Sequence, residues 1–160
     1  MSGSLRRTTR SADETRALGR ALAGLLGAGD VVFLAGELGA GKTVFAQGIA
    51  AGLGIDPREV ASPTFVLASE HAGRLRMVHL DLYRIEDPRE LDDVGVNELL
   101  GGDGVAVVEW ADRFPGELGE PGVIVRLAPG ATETERTVEI EWRASPAPDG
   151  WRERLAAATA

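Results

Sequence analysis

The chain of 160 residues contains no cysteine. That excludes a disulfide framework, a thiolate nucleophile and a cysteine-ligated zinc site. Long hydrophobic runs are also missing. No stretch approaches membrane-spanning length, and Met1–Arg7 lacks the apolar core of a signal peptide. A cytoplasmic protein with no membrane association is the expectation. Positive charge is in deficit: 17 Lys and Arg stand against 25 Asp and Glu, a formal net charge of −8. This disfavours a protein that wraps nucleic acid unaided, and leaves open one that reaches it through a partner. No internal repeat divides the sequence. Its length suits one domain with a proper core. Apolar residues at 44% and charged residues at 26% place it with ordinary globular domains rather than disordered chains.

Against this background stands one glycine-rich pattern. Gly36-Glu37-Leu38-Gly39-Ala40-Gly41-Lys42-Thr43 fills every fixed position of the phosphate-binding loop G-x-x-x-x-G-K-[ST]. Val31–Ala35 before it is a short β-branched apolar run that reads as a buried strand, and Val44–Ala51 after it reads as a helix. Strand, glycine turn and helix N-terminus form an anion cradle, because backbone N–H groups converge and the helix dipole adds positive potential. In such a cradle Lys42 reaches the β- and γ-phosphates and the Thr43 hydroxyl can ligate magnesium. A nucleoside triphosphate is the expected ligand. No Asn-Lys-x-Asp sequence occurs, so the usual guanine-reading motif is missing and adenine is the default base.

The remaining pattern is an alternation of helices and strands. Ser11 and Glu14 fit a capping box for a helix over Thr15–Leu26, with Leu18, Leu22, Leu25 and Leu26 on one face. Phe65–Ser69 and Arg74–Leu80 read as a hairpin. Pro88–Leu100 reads as one helix with Leu91, Val94, Leu99 and Leu100 as its apolar positions. Val105–Val108, Val123–Leu127 and Arg136–Ile140 read as strands. The expected fold is a three-layer α/β/α P-loop fold with a mixed, mainly parallel central sheet and an antiparallel addition. Residues 1–143 would form the P-loop domain. Ala144–Ala160, rich in Ala and Pro, would be a tail that is either a short helix or disordered.

A magnesium-nucleotide site needs carboxylates near the loop, and in an open α/β sheet these belong at the carboxyl ends of strands. Asp81 follows Met77–Leu80 and Glu109 follows Val105–Val108. Either suits a metal or a metal-bound water, and one of them the positioning of the attacking water. Two readings stand for His79, a satisfied core histidine or a site group. The same holds for Trp110, a core residue or an aromatic at the site edge. Between Gly101 and Gly130 the only arginines are Arg113 and Arg126, so the arginine-rich lid of a small-molecule kinase is not evident. Such a kinase, or a nucleotide-gated binding module with negligible turnover, remains the rival to an ATPase. Phosphotransfer assays and ATPase rates with and without partners discriminate among them.

Taken together, Gly36–Thr43, Ser62-Pro63-Thr64-Phe65, His79-Leu80-Asp81-Leu82-Tyr83-Arg84 and Val108-Glu109-Trp110 resemble, in order and spacing, the TsaE family. The resemblance runs from about Thr8 to Ile140. It implies a small P-loop ATPase of bacterial tRNA threonylcarbamoyladenosine biosynthesis, using ATP and magnesium. Such a protein works with TsaD and TsaB, which transfer the threonylcarbamoyl group to adenosine 37, and it supports their turnover without performing the transfer. It would meet tRNA only through that complex. By the same resemblance, Glu37, Leu38, Gly39, Ala40, Gly41, Lys42, Thr43 and Val44 would embrace the nucleotide, with Trp110 beside it and Thr64 in a switch-like segment. Thr43, Asp81 and Glu109 would serve the metal. Lys42, Asp81 and Glu109 would be the catalytic set, Glu109 being the hydrolysis-linked acid. Many relatives carry a second Thr after the loop where this chain has Val44. The missing hydroxyl removes one neutral hydrogen bond, worth about 1 kcal/mol.

Overall fold

The computed structural model describes residues 3–37, 39–60, 68–93, 95–100 and 102–159. In chain order the elements are β1 (Gly3–Thr9), α1 (Ala12–Ala23), β2 (Val31–Ala35), α2 (Lys42–Gly52), β3 (Ala68–His71), β4 (Met77–Asp81), α3 (Arg89–Asp93), α4 (Val96–Leu100), β5 (Val105–Glu109), β6 (Val123–Pro129), β7 (Arg136–Trp142) and α5 (Trp151–Ala157). Short 3₁₀ turns lie at Pro57–Glu59 and Ala111–Arg113. The seven strands among these residues form one sheet in the order β1-β7-β6-β2-β5-β4-β3. The central four, β6, β2, β5 and β4, run parallel, and antiparallel strands are added at both sides.

Two cores, one on each face of the sheet, make the three layers. On one face α1, α2 and α5 bury Leu18, Leu22, Phe45, Ile49 and Leu155 against Val32, Val107, Val125 and Ile140. On the other, α3, α4 and the segment through Phe114 and Leu118 cover Val78, Leu80 and Val108. Being covered twice, β4 and β5 are buried along their whole length. This is why β5 has no polar alternation until Glu109. Among the described residues no helix is long and apolar enough to cross a membrane.

Several predicted boundaries move. The Ser11 half of the capping box forms as read, the Glu14 N–H donating to Ser11 Oγ at 3.1 Å, while the Glu14 carboxylate accepts from the Arg10 N–H at 3.3 Å rather than from that of Ser11. It starts α1 three residues earlier than Thr15. The helix then stops at the Gly24 cap, so Leu25 and Leu26 pack from the following turn. The single helix expected over Pro88–Leu100 is two short ones. Gly95 takes φ +70 between them, a left-handed angle that no helix continues through; Val94 lies outside the described residues. The hairpin is present as β3 and β4, with His71 opposite Met77; of its predicted first strand, residues 65–67 lie outside the described residues. Asp81 is the last residue of β4 rather than the one after it.

Past Arg143 the chain ends in α5. Trp151 and Leu155 are buried, and the Trp151 ring lies 5.5 Å from that of Trp142. Arg7 Nε donates to Thr159 Oγ1 at 2.9 Å, and Arg152 Nε to the Ser4 carbonyl at 3.1 Å. Of the two alternatives for the tail, the structure has the helix, and it holds β1 in place.

Candidate functional site

The site is built at the carboxyl ends of β2, β4 and β5. The chain leaves β2 through Gly36 at φ +150, where a Cβ would come within 2.5 Å of the Leu127 carbonyl oxygen of β6. Glycine alone lets the loop pass so close to that neighbouring strand. The Ala40 N–H donates to the Glu37 carbonyl at 3.0 Å and closes the turn, while Ala40 itself is buried in the core. Gly41, at φ 103, is the N-cap of α2 and offers no side-chain cap. The first N–H groups of α2 are therefore left for an anion.

Lys42 is the first residue of α2 and folds back over the loop. Its Nζ donates to the carbonyls of Gly36 and Glu37, the latter at 2.9 Å, and lies 3.9 Å from the centre of the Trp110 ring. Burial lowers its pKa, opposed by the charges of Glu109, Asp112 and Asp81. Thr43, one residue on, faces the acids. Its Oγ1 lies 3.4 and 3.5 Å from the two Glu109 carboxylate oxygens, at the long limit of hydrogen bonding.

Asp81 and Glu109 end neighbouring parallel strands and are register partners. Both are buried, Asp81 at 7% and Glu109 at 2% exposure. Burial raises the pKa of Asp81. The Tyr83 N–H, donating to its Oδ1 at 3.0 Å, works against that shift, and the Glu109 charge adds to it. His79 precedes Asp81 by two residues on the same face of β4. It is wholly buried, with Nε2 2.5 Å from Glu109 Oε2.

Trp110 follows Glu109 at φ 66, the one positive φ outside glycine among the described residues. For a bulky side chain this is a genuine outlier. It turns the indole to the mouth of the site, between the Lys42 ammonium and the half-exposed Tyr83, whose ring centre is 5.0 Å away. Arg113 braces this edge by donating to the Tyr83 carbonyl. The resulting cleft, about 320 Å³, is lined by Gly39, Gly41, Lys42, Thr43, Val44, Glu109, Trp110 and Arg136. A smaller hollow of about 140 Å³ shares Gly41, Val44 and Arg136 with it. It extends toward Ala12 and Thr15 of α1 and toward Glu133 and Thr134 of the β6–β7 turn.

The structure thus brings Lys42, Thr43, Glu109 and Trp110 to one cleft and sets Asp81 beside Glu109. Glu37 contributes its carbonyl, and Val44 lines the wall. Leu38 and Thr64, with the whole Ser62–Phe65 segment, lie outside the described residues. Sequence reasoning missed Arg136, having sought arginines only between Gly101 and Gly130. Arg126 turns instead to Glu139 and Glu141 on the sheet. Arg136 opens β7, which runs antiparallel to β6. Its position therefore falls at the carboxyl end of the parallel strands, and that topological signal was available.

Known proteins are similar to the chain across the segment that carries this site. Residues 9–144 match the family described as "Threonylcarbamoyl adenosine biosynthesis protein TsaE". The match takes in the loop, both acids and Trp110. The chain belongs to the TsaE family. It is 43% identical over 123 residues to the tRNA threonylcarbamoyladenosine biosynthesis protein TsaE of Treponema pallidum, covering 77% of this chain and 90% of that one. To the TsaE of Mycobacterium tuberculosis it is 37% identical over 140 residues, covering 81% and 82%. The crystal structure of Bacillus subtilis YdiB superposes with a TM-score of 0.77 at 28% identity, across 98% of this chain and 97% of that one. The TsaE family match stops just before α5, so the packing of Trp151 and Leu155 is learned from the structure alone.

Proposed function

We infer that this chain binds and hydrolyses ATP in the pathway that places a threonylcarbamoyl group on adenosine 37 of tRNAs reading codons that begin with A. It sustains the turnover of a TsaD–TsaB complex and leaves the transfer itself to that complex. The observation that carries this reading is one juxtaposition. A complete phosphate loop presents Thr43 to Glu109, and Asp81 is paired with Glu109 on the next strand. The reading places the protein in the cytoplasm. With a net charge of −8, it meets tRNA through its partners.

The residues fit magnesium. Among those described, no group of three or more His, Cys, Asp and Glu gathers into an all-protein cation cage. Magnesium is usually held by one or two carboxylates together with water and phosphate oxygens. The Thr43 hydroxyl, Asp81 and Glu109 would hold it, and when bound it neutralises charge on the β- and γ-phosphates. The chain's own groups supply the rest. The loop N–H groups and the Lys42 ammonium bind the phosphates. Arg136 and the hollow toward Ala12, Thr15 and Thr134 receive the nucleoside end. Glu109 orients a water against the γ-phosphorus. The water oxygen bonds to phosphorus while the bond to the β–γ bridging oxygen breaks. ADP departs, and the proton released by the water passes through the Glu109 carboxylate to the products.

The test is the ATPase rate measured as a purified TsaD–TsaB complex is titrated in, with Glu109→Gln alongside. Slow hydrolysis alone is expected. It should rise with added partner, by up to about 10³-fold if a partner cation reaches the transition state. Glu109→Gln should retain ATP binding and lose about 10²-fold or more in rate. A flat rate curve overturns the turnover role, and a wild-type rate in Glu109→Gln overturns the assignment of the acid.

A further inference from the structure

His79 is left over by the mechanism above, although it is the wholly buried polar side chain nearest the reacting end of the site. On β4, Met77, His79 and Asp81 point to the face that carries α2, and Met77 there is plain core. An imidazole is a costly filling for such a position. Its Nδ1 is buried with no hydrogen-bond partner among the described residues. A buried polar atom in that state costs about 1–3 kcal/mol. A leucine would fill the space at no such cost. What the imidazole offers and leucine cannot is the other ring nitrogen. Nε2 sits 2.5 Å from Glu109 Oε2, and since a carboxylate only accepts, Nε2 carries the hydrogen and donates it.

The contact crosses strands. His79 is the register partner of Val107, so its side chain reaches diagonally along β5 to the carboxylate two residues further on. Glutamate has three side-chain torsions, and a glutamate that must aim at one water needs them fixed. Thr43 holds it only weakly, through hydrogen bonds at the long limit of 3.4 and 3.5 Å. We propose that His79 is the positioning residue for Glu109, its Nε2–H holding Oε2 so that the carboxylate is locked in the orientation facing Thr43 and the cleft. This rests on the reading of Glu109 as the hydrolytic acid. It assigns to the first residue of the His-x-Asp stretch a role separate from that of the aspartate.

Full-length His79→Leu, His79→Gln and His79→Asn are compared with wild type for ATP affinity by calorimetry and for kcat in the presence of the partner complex. Leu and Gln are also placed in the Glu109→Gln background. Gln can set its amide N–H where Nε2 stands; Asn carries the same amide but falls short. His79→Leu is expected to lose about 10- to 100-fold in kcat, with ATP affinity within about 2-fold of wild type. Gln should recover most of the loss, and Leu should have no further effect once Glu109 is already Gln. An unchanged kcat in His79→Leu overturns the proposal, as does the same fold-loss in both backgrounds. Should the Leu variant not fold, the comparison of Gln with Asn decides: Gln faster supports the positioning role, and equal rates overturn it. A wild-type rate in Glu109→Gln alone marks a different failure, that of the reading of Glu109, and the proposal falls with it.

Discussion

Asp81 and Glu109 stand side by side at the ends of β4 and β5, a single register pair that buries two acids together. Such a pair is unfavourable for folding, because two carboxylates in a poorly solvated place resist ionising together. The cost is offset by what surrounds the pair: the Tyr83 N–H on Asp81, the His79 Nε2–H on Glu109 and the Lys42 ammonium.

For Asp81 the sign of the pH effect follows directly. Its folded pKa is raised above 3.8 by burial. The native state therefore keeps the proton to higher pH than the unfolded chain does. Stability falls as pH rises through that window, and at neutral pH the ionised Asp81 is a net burden. Asp81→Asn, which still accepts from the Tyr83 N–H, should melt higher than wild type near neutral pH without nucleotide. The gap should close below pH 3.8. The same variant should lose its response to magnesium in ATPase assays. Calorimetric melting at both pH values is the check, and a lower neutral-pH midpoint in the variant would contradict the burial argument.

Lys42→Ala removes the ammonium that bridges the Gly36 and Glu37 carbonyls and faces the phosphate cleft. Two charge-assisted phosphate contacts at about 1.5–3 kcal/mol each would be lost. The dissociation constant for magnesium-ATP should rise by about 100-fold or more. Titration calorimetry measures this, and unchanged affinity would remove Lys42 from the site.

Arg136 holds the loop from the other side. Its guanidinium donates to the Glu133 and Glu135 carbonyls at 2.8 and 2.7 Å and to the Gly39 carbonyl at 3.3 Å. Arg136→Ala should weaken ATP binding by about 5- to 30-fold, the worth of one or two kcal/mol. Arg136→Lys should not restore it, because an ammonium cannot reproduce a planar fork that spans three carbonyls. Full recovery in the Lys variant would mean that charge alone matters there.

Leu155 is wholly buried, although it lies beyond the residues matched by the family. Leu155→Ala should cost about 2–5 kcal/mol of stability and leave the affinity of the folded protein for ATP unchanged. Denaturant unfolding combined with calorimetry separates the two effects. A shift in affinity without one in stability would place α5 in the site.

The phosphate loop, both acids and the sheet's central strands were legible in the sequence, for a physical reason. A strand buried on both faces must be apolar throughout, so β5 announces itself, and the first acid after it stands at the rim. The break at Gly95 was less legible, because apolar spacing over Pro88–Leu100 suits one helix as well as two, and the φ of a glycine has no sequence signature. Arg136 was legible from the β6–β7 hairpin that carries it to the rim, whereas the His79–Glu109 contact depends on which strands become neighbours across a long sequence distance. Spacing along the chain carries no record of that. For α5, a segment of 7 residues is too short to sustain a helix alone even when it is rich in Ala, and the seat for Trp151 and Leu155 decides its state.

The clasp between the two ends of the chain bears on the timing of folding. Among the described residues β1 has a single hydrogen-bonded neighbour, β7, which pairs Gly3 with Trp142 and Thr9 with Arg136. Its flank is secured by Arg7 and Arg152 contacts with residues made later still or holding them. On the ribosome β1 must therefore wait, unpaired, until β7 has emerged. Such non-local pairing slows folding, since the entropy of closing the longest loop is lost before any contact rewards it. The phosphate loop between β2 and α2 leans on the same distant strands, with Leu127 of β6 close against Gly36 and Arg136 of β7 on the Gly39 carbonyl. The pairing of β1 and the shape of the loop therefore both depend on the β6–β7 hairpin.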